Sequence, residues 1–144
     1  MPPVALLLLA AAALQPAPAG IPVWDRLPDD WNGALWKVPP APGQKGLWFG
    51  QLQVCGAKVA GAKSGRGRGG EPVLLLVFAP FAREEVARET ARYLERPMPV
   101  RIDGRAIAAP TVEGPIEHGE IELHLATGRD RRRIAALARR RCPP

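Results

Sequence analysis

Residues Val73 to Ala79 form a run of seven apolar residues, Val-Leu-Leu-Leu-Val-Phe-Ala, opened by Pro72. The run is far too short to cross a bilayer, which takes about twenty residues. It is also too uniformly apolar to leave either face in water. A strand covered on both faces satisfies it. The rest of the chain must then supply neighbouring strands and a layer of helix.

Leu47 to Val54 offers apolar positions around Gln51 and Gln53, and this alternation predicts one strand. Gly56 to Gly70 ends in Ser64-Gly65-Arg66-Gly67-Arg68-Gly69-Gly70 and reads as a mobile loop. After the apolar run a helix is predicted over 80–95, with Pro80 in its first turn. Val86, Ala87, Thr90, Ala91 and Leu94 lie on its inner face and Arg83, Glu84, Glu85, Arg88, Glu89 and Arg92 on its outer face. Val100-Arg101-Ile102 and Arg105-Ala106-Ile107 flank Asp103-Gly104, the two-residue hairpin turn in which both residues tolerate positive φ. Thr111 to Gly119 is irregular. Glu120 to Leu125 alternates strictly, which turns Ile121, Leu123 and Leu125 inward. Thr127 with Asp130 three residues later opens a last helix whose apolar stripe is Ile134, Leu137 and Ala138.

The N-terminus carries a second kind of apolar segment. Val4 to Leu14 is unbroken and is followed by Ala17-Pro18-Ala19 before Gly20, the layout of a cleavable secretory signal. Residues 1–19 are therefore expected to direct export to the periplasm or the medium. Residues 20–46, with Pro22, Pro28, Pro39, Pro40, Pro42 and Trp24, Trp31, Trp36, are read as an ordered arm packed on the domain by its tryptophans. Residues 47–144 are read as one α+β domain. In an oxidising compartment the two cysteines, Cys55 and Cys142, are expected to bond to each other. The formal net charge of +6 favours acidic partners.

Several chemistries are set aside. Gly56-Ala57-Lys58-Val59-Ala60-Gly61 opens like a phosphate-binding loop, but Ala62 displaces Lys63-Ser64 by one residue and more glycine follows where a helix is needed. His118 and His124 have no third ligand at a fixed spacing, so no metal is expected. Ser64 sits in a glycine loop where no base is held beside it. No cofactor, nucleic acid or catalytic residue is predicted.

From Val73 onward the chain resembles the head subdomain in the first periplasmic domain of SecD, the membrane subunit that assists protein translocation. The matching pieces are Thr90 in the helix, Pro99-Val100-Arg101-Ile102-Asp103-Gly104-Arg105, Ala109-Pro110, Pro115-Ile116, Gly119, and Thr127 with Ala135 and Leu137 in the last helix. They span about half of the chain. The resemblance implies a ferredoxin-like αβ sandwich, mostly antiparallel, with two helices on one face, and Asp103, Gly104 and Pro110 as its turn positions. It also implies that the domain holds or guides a protein chain beyond the membrane. Loops carried on a rigid sheet are where binding residues usually sit. The contact surface is therefore expected over Thr111, Val112, Glu113, Gly114, Ile116 and His118, beside the hairpin. The reading is an exported, non-catalytic module that contacts protein chains or a translocon component. The basic balance supports a second reading, a structural or surface-binding protein of the cell envelope.

Overall fold

β4 (Pro72–Phe78) forms where the apolar run predicts it and is the middle strand of an antiparallel sheet ordered β3-β4-β7, with β3 spanning Val59–Arg66 and β7 Glu120–His124. The computed structural model describes residues 21–27, 33–114, 116–125 and 127–142. The signal reading over 1–19, the arm's Pro28 and Trp31, and Pro115 of the family-like motif lie outside the described residues. A second antiparallel sheet is ordered β2-β1-β5-β6, from β1 (Leu47–Phe49), β2 (Leu52–Gln53), β5 (Val100–Ile102) and β6 (Arg105–Ala108). Among the described residues the α-helices are α1 (Arg83–Arg92) and α2 (Gly128–Arg139). The α+β class and the antiparallel pairing stand as expected. The strands divide between two sheets because the β5–β6 hairpin pairs with β1, Val100 opposite Phe49 and Ile102 opposite Leu47.

Both sheets contribute to one core. Phe49, Leu47, Val100 and Ile102 from one meet Leu74, Leu76, Phe78 and Leu123 from the other, all nearly or fully buried. Phe49 and Phe78 meet edge to face, with ring centroids 6.1 Å apart. α2 covers β3, β4 and β1 with Ile134 and Ala138. Its first turn is capped as predicted, the Thr127 hydroxyl accepting from the Asp130 amide at 3.1 Å. Ile121, Leu123 and Leu125 point inward as their alternation requires. The Cys55–Cys142 disulfide forms across 87 residues, with Cα atoms 5.1 Å apart, and fastens the segment after α2 to the segment after β2.

Four local expectations give way to tertiary context. The predicted strand 47–54 is a tight hairpin instead, turning at Gly50 and Gln51. Gly50 has φ +57°, and a side chain there would run into the ring of Tyr93, with a Cβ only 2.6 Å from it. The stretch read as a mobile loop contains β3, whose backbone pairs along β4 from Val59 opposite Phe78 to Arg66 opposite Pro72, leaving only a turn over 67–70. Its Gly, Ala, Lys and Ser residues have little strand preference, and pairing to β4 overrides that. The helix ends at Arg92, before Glu95. Ala91 and Leu94 face solvent, and Glu89, assigned outward, is buried. In the arm, Trp36 is 82% exposed and does not pack inward; Lys37 Nζ lies 5.2 Å over its ring.

Candidate chain-binding groove

The irregular segment after β6 is held at both ends by backbone pairing. The Met98 amide donates to the Pro110 carbonyl at 2.8 Å, the Val112 amide to Arg96 at 3.0 Å, and the Glu95 amide to Val112 at 2.6 Å. Glu95 adopts φ +61° so that the chain leaving α1 can turn back and make these bonds. Further along, the Ile116 amide donates to the Thr90 hydroxyl at 2.9 Å, and that hydroxyl donates to the Val86 carbonyl at 2.9 Å. Thr90 is fully inside α1, so the segment is laced to the helix as well as to the strand region.

Between this segment and β7 lies a groove of about 240 Å³. Met98, Pro110, Val112, Ile116 and Ile121 give it an apolar lining, and Glu113, Glu120 and Glu122 supply carboxylates. Among the described residues β7 is the outer strand of its sheet and pairs on one side only, with β4. Five of the six residues expected at a contact surface therefore line one groove: Thr111, Val112, Glu113, Gly114 and Ile116. Val112 is buried and forms part of the core, while Thr111 and Glu113 face solvent. His118 is exposed and does not line the groove. Of the turn positions, Pro110 lines the groove, whereas Asp103 and Gly104 are engaged by the arm. Asp103, at φ +50°, accepts from the Gly46 amide at 2.8 Å, and the Gly104 carbonyl accepts from the Ala41 amide at 3.0 Å.

The ionisable groups of greatest burial sit elsewhere. Arg101, on β5, is completely buried and ion-paired with Asp25 of the arm. Its guanidinium also donates to the carbonyls of Trp24 at 2.9 Å and Pro39 at 3.1 Å. The Tyr93 hydroxyl donates to Asp25 Oδ2 at 2.5 Å, and the Gln51 amide side chain donates to the same oxygen at 2.9 Å. Glu89 Oε1 accepts from the Gln51 backbone at 2.8 Å. Burial, followed by the hydrogen bond to the Asp25 carboxylate, raises the Tyr93 pKa. Burial also raises that of Glu89, against the opposing pull of the Gln51 amide and Arg92. The network is packed shut between the arm, the β1–β2 turn and α1. The sequence held one clue to it, an arginine placed between Val100 and Ile102 in a three-residue strand.

His124 lies on the exposed face of β7 between Glu71, at 3.2 Å, and Glu122, at 3.3 Å. Among the described residues no group of three or more His, Cys, Asp or Glu is arranged to hold a metal.

No family model and no curated protein sequence matches the chain. Solved structures do. A SecDF described as a membrane component that enhances protein export aligns with TM-score 0.50 at 24% identity, covering 58% of this chain and 38% of that one. SecDF in its super-membrane-facing form aligns with TM-score 0.51 at 23% identity, over 61% of this chain and 12% of the other. This chain thus spans well under half the length of either structure, and what it shares with them is the fold of a SecD-type periplasmic domain.

Proposed function

We propose that the protein is an exported, non-catalytic module that binds protein chains in extended form, outside the cytoplasm and in the course of protein export. The observation that carries this reading is the groove beside β7. It combines an apolar lining with the free edge of a sheet, and an extended segment laid there gains backbone hydrogen bonds from the strand and side-chain contacts from the lining. The SecDF-like fold supports the same reading, since a SecDF is described as enhancing export. A binding role fits the chemistry of the site better than catalysis does: the groups with raised pKa, Glu89 and Tyr93, are committed to the closed Asp25 network. The signal-like residues 1–19 support localisation in the periplasm or the medium. The partner is then a secretory chain in transit or a translocon component.

The test is site-specific photo-crosslinking in living cells, with the probe at the exposed Glu113 on the groove wall. Secretory chains or translocon subunits should be captured, and a probe at Arg88, on the exposed side of α1, should capture far less. Capture of one unrelated folded protein, or equal capture from both positions, overturns the reading.

A further inference from the structure

The charge of this protein is segregated to a degree that its net value hides. Between Gly128 and Cys142 there are seven arginines and one aspartate. Taking these from the totals of 20 basic and 14 acidic residues leaves thirteen of each in all the rest of the chain. The whole +6 therefore resides in α2 and the few residues after it.

Four of the five arginines of α2 share one face, while Arg131 is half-buried on the other side beside Arg66 and Pro72. Arg129, Arg132, Arg133 and Arg139, with Ala136 among them, recur at helical spacings of three and four and are all exposed. Ile134 and Ala138 on the opposite side are fully buried against the sheets. Arg140 and Arg141 extend the exposed positive surface, and the disulfide at Cys142 fastens that end to the domain. Among the described residues the ion pair this face makes is Arg133 with Asp103, at 3.7 Å and well exposed on both sides. Fold stability accounts for Arg139, in the last turn where a cation suits the helix dipole, but not for the rest: arginines early in a helix oppose its dipole, and like charges spaced three and four apart repel.

We propose that the exposed face of α2 docks on the surface of an anionic lipid membrane. Charge complementarity selects an anionic partner, and exposed arginines running from the first to the last turn of α2 select one with an extended charged surface. Residues 128–142 contain no aromatic side chain on which the bases of a nucleic acid would stack. Arginines beside a layer of acidic headgroups each add to the attraction, which fades with distance and with salt. The docking is independent of the groove beside β7.

The experiment is co-sedimentation of the full chain with phosphatidylglycerol-rich vesicles and with neutral phosphatidylcholine vesicles. The ratio of the two partition coefficients is the readout, so that any contribution of the apolar residues 4–14 cancels. The ratio should be well above one and should fall steeply as salt is raised from about 0.05 to about 0.5 M. The quadruple variant R129Q/R132Q/R133Q/R139Q should lower it at least about tenfold. A variant of equal charge change elsewhere, R83Q/R88Q/R96Q/R105Q, should keep most of it. Circular dichroism checks that both variants are folded. The salt dependence of the unmodified protein stands as a test should either variant fail to fold. A ratio near one, equal losses in the two variants, or duplex DNA that strips the protein from anionic vesicles at matched salt overturns the proposal.

Discussion

The two sheets are held by different physics. The β2-β1-β5-β6 side is organised around a buried ion pair and its hydrogen bonds, which tie Asp25 of the arm to Arg101, Tyr93 and Gln51. The β3-β4-β7 side is organised by apolar contact with α2 and by the Cys55–Cys142 bond. Apolar packing tolerates modest changes in shape, because it is non-directional. A buried charge network does not, since removing one member strands the others without water. The arm is thus specified by a few polar contacts, and α2 by area and a covalent tie.

The largest effect is expected at the disulfide. Replacing both cysteines with serine should cost about 4 to 5 kcal/mol by loop-closure entropy, given the separation of 87 residues. Urea unfolding measures it, and a loss below about 1 kcal/mol would mean that apolar packing alone secures α2. The next largest effect is expected from Arg101→Met, which leaves the buried Asp25 without its counter-ion at a cost of about 3 kcal/mol or more. Adding Asp25→Leu to that variant should restore much of the loss. If the double variant is as unstable as the single one, shape rather than charge governs this side.

The smallest effect is expected with pH. The Glu89 pKa is raised by burial from 4.5, so the folded protein holds this proton more tightly than the unfolded chain does. Its contribution favours folding below pH 4.5 and is lost as pH rises through the higher, folded value. Glu89→Gln keeps the acceptor for the Gln51 amide and should give a small gain at neutral pH, with a flatter stability profile across that window. Denaturation midpoints measured from pH 4 to pH 7 check the sign, and a steeper profile in the variant contradicts it.

How legible these regions are in the sequence follows from the same contrast. β4, β7 and the apolar stripe of α2 are readable because burial imposes a period on residue type, and the Asp103-Gly104 turn because positive φ restricts composition. β3 escapes because an outer strand paired to β4 needs no apolar residues of its own. The hairpin at Gly50 is hidden because its cause, the ring of Tyr93, lies over forty residues away. Glu89 is assigned outward because a carboxylate that meets Gln51 inside the protein looks, in sequence, like any solvated one. In the groove, Thr111 to Ile116 are identifiable as a loop between elements, but Met98 and β7 become its other wall only through the pairing of distant segments.

The position of the disulfide also sets a timetable. Cys142 is synthesised 87 residues after Cys55, which at ribosomal rates is an interval of roughly 4 to 17 s. Among the described residues every strand and both helices precede Cys142 in the chain, so the bond can close only after the residues of those elements have been synthesised. During that interval Cys55 waits as a thiol with no second cysteine of its own chain to mispair with. With two cysteines in the sequence, oxidation has one intrachain pairing to make and does not select among alternative ones. A chain stalled before its last residues should therefore be captured through Cys55 by other thiols in its surroundings.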